Sequence, residues 1–208
     1  MKYAVITFGC RVNQADSFGA EEGLLARGAT AAPVEDADVV LVNTCTVTAS
    51  ADQAARQAIR RVSRLNPRAR IVVTGCYATR RPDELHDLPG VVGVVHNDTK
   101  EDVVPLLFHH KFSQEPATTS ERFGPGEGAC GAAVAPGVAG RTAFTLRVQS
   151  GCAESCTYCI IPSTRGVPRS VPVDVVIAEL RRVIAAGFKE VAITGVPLGS
   201  YGRDLPVS

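Results

Sequence analysis

The stretch Asp38-Val39-Val40-Leu41-Val42 constrains the fold more than any other. An apolar run that short and unbroken suits a strand covered on both faces. It sits in a succession of strand and helix patterns. Val5-Ile6-Thr7-Phe8 reads as a strand, and Asn13 to Ala26 as a helix with Phe18, Leu24 and Leu25 among its apolar positions. Ala49 to Leu65 reads as a second helix, ended by Asn66-Pro67. Arg70-Ile71-Val72-Val73-Thr74 is a further strand, and the runs Val91-Val92 and Val94-Val95 precede a short helix near Lys100 to Phe108. Strands alternating with helices imply parallel βαβ units, so the expected fold class is α/β with a parallel sheet.

From about Ser113 to Arg141 the periodicity dissolves. Gly124-Pro125-Gly126-Glu127-Gly128 and Pro136-Gly137 sit among alanines there, as in a linker. These glycines do not join a strand to a helix, so no phosphate-binding loop is expected. The pattern returns with a strand over Ala143 to Gln149, a helix over Val173 to Ala186 and a strand over Glu190 to Thr194. The expected division is an N-terminal α/β domain at 1–112, a linker at 113–141, and a second unit at 142–208 amounting to one βαβ. A lone βαβ neither buries both sheet faces nor protects its open edges, so the sequence reads as incomplete.

Composition excludes little. The 208 residues are 45% hydrophobic and 21% charged, with a formal net charge of +1, so any polyanion site has to be a local patch. No run approaches the ~20 apolar residues that span a bilayer, and the N-terminus lacks a secretory pattern. A cytoplasmic protein without a membrane partner is the expectation. Seven cysteines then argue for metal rather than disulfides, and an odd count fits a disulfide framework poorly. The sequon Asn97-Asp98-Thr99 reads as chance.

Cys152, Cys156 and Cys159 follow an expected strand directly, with the spacing C-x3-C-x2-C. Three thiolates on one loop can hold three irons of a [4Fe–4S] cluster and leave the fourth open. Structural zinc wants four closed ligands, and no histidine or fourth cysteine lies near this loop. Cys10, Cys45 and Cys76 each follow the end of an expected strand, as Phe8-Gly9-Cys10, Asn43-Thr44-Cys45 and Thr74-Gly75-Cys76. In an open parallel sheet, groups at the carboxyl ends of strands share one edge, where ligands bind. Glycine before two of these cysteines lets backbone approach closely. On spacing alone the three are equally well buried, inert thiols. Cys130 has no neighbouring partner, and His86, His96, His109 and His110 show no ligand spacing. Arg56, Arg60 and Arg64 recur every four residues on one helix, with Arg61, Arg68 and Arg70 nearby. That stripe is either an ordinary solvated face or a phosphate contact for RNA.

The segment Gln149-Ser150-Gly151-Cys152-Ala153-Glu154-Ser155-Cys156-Thr157-Tyr158-Cys159-Ile160-Ile161-Pro162, followed by Arg165-Gly166, resembles the radical S-adenosylmethionine (SAM) loop of the tRNA methylthiotransferase family. Thr7-Phe8-Gly9-Cys10-Arg11-Val12-Asn13-Gln14, Asn43-Thr44-Cys45 and Thr74-Gly75-Cys76-Tyr77 resemble the N-terminal domain of the same family. The resemblance implies two [4Fe–4S] clusters. One is held by Cys152, Cys156 and Cys159 and binds SAM through its open iron. The other, auxiliary cluster is held by Cys10, Cys45 and Cys76 and is implicated in sulfur supply. It also places Tyr158 near the SAM adenine, against the plainer reading of core packing, and Thr194-Gly195 near the SAM amino group. Ser150 stands where family members often carry an acidic residue.

Cys10-Arg11-Val12-Asn13-Gln14 and Thr194-Gly195-Val196-Pro197-Leu198-Gly199-Ser200-Tyr201-Gly202 look most like the branch acting on N6-threonylcarbamoyladenosine at position 37 of tRNA. That branch commonly has histidine where this chain has Pro197. The implied reaction is radical SAM insertion of a methylthio group at C2 of the modified adenine, with tRNA and an electron donor protein as partners and an unspecified sulfur source. The implied second fold is the beginning of a radical SAM TIM-like barrel, most of it and a C-terminal RNA-binding domain being absent. Two rivals remain: a non-enzymatic zinc- or cluster-binding module that docks RNA or a partner, and an inactive fragment.

Overall fold

The computed structural model describes residues 1–108 and 143–206. The expected linker, Cys130, His109 and His110 lie outside the described residues. Five strands form one parallel sheet in the order β2-β1-β3-β4-β5. They are β1 (Lys2–Thr7), β2 (Thr30–Ala31), β3 (Val39–Thr44), β4 (Arg70–Gly75) and β5 (Val91–Val95). All four pairings are parallel. The protein is α/β, as its alternating pattern requires.

Every residue of β3 is buried, and successive residues go to opposite layers. Val40 and Val42 pack with Ala55, Ile59 and Val62 of α2 (Ala49–Leu65), Tyr77 and Ala78 of α3 (Cys76–Arg80) and Leu85 of α4 (Asp83–His86). Val39 and Leu41 pack with Leu24 of α1 (Arg11–Ala26) and with Val103, Val104 and Leu107 of α5 (Val103–Phe108). Period-2 alternation on a central strand therefore builds two cores.

A second, smaller sheet pairs β6 (Ala143–Arg147) with β9 (Glu190–Thr194), parallel and joined through α7 (Val173–Ala185). Its core is Phe144, Val183 and Phe188. The strand expected over Ala143 to Gln149 is broken at Val148. There the chain turns into a short antiparallel ribbon of β7 (Gln149–Ser150) with β8 (Arg169–Ser170). Val148 bonds out on both sides, its N–H to the Thr194 carbonyl at 2.9 Å and its carbonyl to Val171 N at 2.8 Å. Between β7 and β8 lie the cysteine loop and α6 (Ile161–Arg165).

Helix α1 lies between the two sheets. Phe18 stacks on Phe144 with ring centroids 5.7 Å apart, and Glu22 pairs with Arg182 of α7 at 3.0 Å. Among the described residues no helix is long and apolar enough to cross a membrane.

Candidate metal centres at two cysteine-bearing edges

β1, β3 and β4 are neighbours in register, Thr7 beside Asn43 and Asn43 beside Thr74, so their carboxyl ends form one edge. Cys10 leaves that edge at the start of α1, Cys45 follows β3, and Cys76 opens α3. Cys10 is exposed, Cys45 and Cys76 are buried, and all three are free thiols. Burial pushes the Cys45 thiol up, and the neighbouring Cys76 and Cys10 add to the rise. The three thiols therefore share one electrostatic neighbourhood.

Glycine is needed to pack them this way. Gly75 has φ of +101°, and a Cβ there would lie 2.3 Å from the Thr44 carbonyl oxygen. A Cβ on Gly9 would meet Cys45 Cβ at 2.7 Å and its Sγ at 2.9 Å. Asn13 lashes the edge together, its amide donating at 2.9 Å to both the Phe8 and Thr44 carbonyls. Asn43 donates back to the Asn13 carbonyl at 2.8 Å. Asn97 approaches Cys76 Sγ with its amide nitrogen at 3.7 Å. Beside Cys45, the buried Thr46 hydroxyl has no hydrogen-bond partner.

The second trio lies on the loop between β7 and α6. Cys152 N–H donates to the Gly166 carbonyl at 2.9 Å, closing the loop at its base. A Cβ on Gly151, where φ is +83°, would sit 2.0 Å from the Val167 carbonyl oxygen. Glu154 N–H points at Cys152 Sγ at 3.4 Å, and Cys159 N–H donates to the Cys156 carbonyl at 3.1 Å. Tyr158 is 88% exposed, so it packs into no core among the described residues. Ser150 is buried, and its hydroxyl accepts from Arg165 at 3.3 Å. A hydroxyl here thus meets a guanidinium, where the family often carries an acid.

Thr194 ends β9 and is buried. Gly195 abuts the loop's entry, since a Cβ on it would lie 3.1 Å from Gln149 Cβ. Gln149 donates to Ser200 Oγ at 2.9 Å, while its buried amide oxygen has no partner. Pro197 leads into the single 3-10 turn Leu198–Ser200.

Among the described residues no three histidine, cysteine or carboxylate groups close on a single metal ion. A cubane cluster has no such need, because each thiolate takes a separate iron. Three free thiols per site match in number the three irons such a cluster offers them.

Between the two edges lies a group that spacing does not reveal. Asp16 on α1 has its side chain 1% exposed and meets Lys100 at 2.8 Å, Arg147 at 3.1 Å and Arg165 at 3.1 Å. Burial alone would push its carboxyl up, but the three cations outweigh that and hold it well below the usual carboxylate range. Burial pushes Lys100 down. The partners come from three distant parts of the sequence, so no local signal announces them. Arg165 is nonetheless part of the motif that follows the cysteine loop.

The arginine stripe of α2 is not uniform. Arg56 is drawn back onto Tyr77 and Glu84, bonding the Tyr77 hydroxyl and lying 5.6 Å from its ring centroid. Arg60 and Arg64 are exposed.

Residues 2–96 match the uncharacterized protein family UPF0004, and residues 146–203 match the Radical SAM superfamily. The threonylcarbamoyladenosine tRNA methylthiotransferase MtaB of Rickettsia prowazekii (strain Madrid E) is 35% identical over 100% of this chain and 46% of its own length. The protein of the same name from Aquifex aeolicus (strain VF5) is 37% identical over 98% of this chain and 50% of its own length. The ribosomal protein uS12 methylthiotransferase RimO of Chloroflexus aurantiacus (strain ATCC 29366 / DSM 635 / J-10-fl) is 31% identical, covering 99% and 48%. The chain spans about half the length of the curated relatives it matches.

Proposed function

We propose that this chain, with its UPF0004 and Radical SAM matches, is a radical SAM methylthiotransferase that serves in tRNA methylthiolation at C2 of N6-threonylcarbamoyladenosine 37. Cys152, Cys156 and Cys159 would hold the [4Fe–4S] cluster that binds SAM, and Cys10, Cys45 and Cys76 an auxiliary [4Fe–4S] cluster. When bound, these groups supply the radical chemistry and the route for sulfur; the protein binds, orients and shields them. What supports the reading is the pair of free-thiol trios, one at the carboxyl edge of the larger sheet and one on the loop after β7, each backed by glycine where a Cβ would strike the chain.

The remaining roles follow from position. Tyr158, exposed beside Cys159, offers a ring to the adenine of SAM. Thr194 ends the strand parallel to β6 and Gly195 borders the loop's entry, and these two would meet the SAM amino group. Arg60 and Arg64 give tRNA phosphates a local basic face on a chain of net charge +1. Residues 1–112 then form the auxiliary-cluster domain and 142–208 the SAM-binding unit. An electron donor protein completes the partners, and the reaction belongs to the cytoplasm.

Iron and acid-labile sulfide after anaerobic reconstitution test the reading. About eight irons per chain are expected, falling to about four when Cys152, Cys156 and Cys159 are all changed to alanine. The first triple variant should lose reductive SAM cleavage. Changing Cys10, Cys45 and Cys76 to alanine should spare cleavage and abolish thioether formation on tRNA. Zinc in place of iron, or no metal, would overturn the enzyme reading for this chain and leave a docking module or an inert fragment.

A further inference from the structure

The seam around Asp16 is unbalanced in charge. One carboxylate serves three cations: Lys100, with its side chain 13% exposed, Arg165, 2% exposed, and Arg147, 35% exposed. Asp98 and Glu101, near Lys100 in sequence, are exposed, and Asp98 turns to Arg169 at 3.4 Å. Excess positive charge in a desolvated seam is unfavourable unless an anion faces it. The two most buried cations lean toward the N-terminal thiols. Lys100 Nζ donates to Asn97 Oδ1 at 3.2 Å and to Asn43 Oδ1 at 3.1 Å. The amide nitrogen of the same Asn97 is the group 3.7 Å from Cys76 Sγ. Arg165 donates to Asn13 Oδ1 at 2.5 Å, and Asn13 in turn holds the Phe8 and Thr44 carbonyls that flank Cys10 and Cys45. The charges of Cys76 and Cys10 bear on Arg165, and that of Cys76 on Lys100.

We propose that Lys100 and Arg165 are positioning residues that compensate the negative charge of an iron–sulfur cluster held by Cys10, Cys45 and Cys76. The inference rests on the assignment of that cysteine trio under Proposed function. Three thiolates give such a cluster a net negative charge that grows on reduction. A buried ammonium one amide from Cys76, and a guanidinium one amide from the backbone before Cys10 and Cys45, favour the reduced form and favour loading. Arg165 also bonds Ser150 of the SAM-loop ribbon and pairs with Asp16 of α1. Charge on the first cysteine edge is thereby tied to the seating of the second.

The test uses the full chain with Cys152, Cys156 and Cys159 changed to alanine, so that only the N-terminal site loads. In this background Lys100→Gln, Lys100→Arg and Arg147→Gln are compared. Gln keeps hydrogen-bonding capacity toward Asn43 and Asn97 but removes the charge. Iron content and the midpoint potential, followed by the electron paramagnetic resonance signal of the reduced cluster, are the readouts.

Lys100→Gln is expected to raise the oxidised-to-reduced ratio at fixed potential at least about tenfold, which is about 59 mV for one electron. Lys100→Arg should stay within about threefold of the parent, and Arg147→Gln should move less than Lys100→Gln. Loss of iron from Lys100→Gln but not from Lys100→Arg supports the same assignment, since the charge is then needed for loading. Iron retained with an unchanged potential in Lys100→Gln overturns the charge assignment alone, as does loss of iron from Lys100→Gln and Lys100→Arg alike. A parent that binds no iron overturns the cysteine-site reading, and this inference with it.

Discussion

Asp16 sits with its side chain 1% exposed among three cations drawn from the 3-10 segment before α5, from β6 and from α6. Its effect on stability has a definite sign. The folded carboxyl titrates below its unfolded value, so its contribution is complete above about pH 4 and is lost as pH falls through the folded value. Asp16→Asn leaves the three cations facing one another. We expect it to destabilise the protein by about 3–5 kcal/mol at pH 7, read from chemical denaturation. The difference from the wild type should shrink steadily below pH 4. A variant that matched the wild type at pH 7 would show that solvent, rather than Asp16, neutralises this seam.

The turn from β4 into α3 delivers Cys76 within a single residue, Gly75. Gly75→Ala forces a positive φ on a side-chain-bearing residue and drives a methyl into the Thr44 carbonyl. A loss of at least about 2 kcal/mol is expected, together with lower iron retention at the N-terminal edge. Wild-type denaturation midpoint and iron content in Gly75→Ala would remove the need for glycine there. This junction was partly legible in advance. A strand ending in Thr-Gly-Cys places a thiol at a sheet edge whatever follows, and the apolar run Val39–Val42 announces a doubly covered strand. Helix α2 was legible to its bounds, because an amphipathic pattern runs from the Thr48 cap to Asn66. By contrast β2 is two exposed residues, and α3 and α6 have five residues each. Elements that short carry no period to read. The break at Val148 was hidden for another reason: its two bonds go to Thr194 and Val171, and neither is a local signal. The Asp16 group was hidden likewise, since sequence spacing carries no record of partners 84 and 149 residues away.

Across the whole molecule, Phe144 is the apolar counterpart of the ionic seam. It is 4% exposed, stacks on Phe18 of α1 and meets Phe188 edge-on at 5.6 Å. Phe144→Ala removes packing from the small sheet and from its contact with α1 at once. About 3 kcal/mol of destabilisation is expected, and calorimetry should resolve separate transitions for the two sheets. A single transition at the wild-type temperature would mean that the sheets are coupled elsewhere. Among the described residues, bridges from α1 to the smaller unit leave from two sides of that helix: Asn13 and Asp16 reach Arg165 and Arg147 from one, Phe18 and Glu22 reach Phe144 and Arg182 from the other. Because each residue turns an α-helix by about 100°, one residue inserted after Asn13 would swing Asp16, Phe18 and Glu22 away from their partners together. Helix α1 is thus a gauge of fixed length, intolerant of any change in the number of its residues.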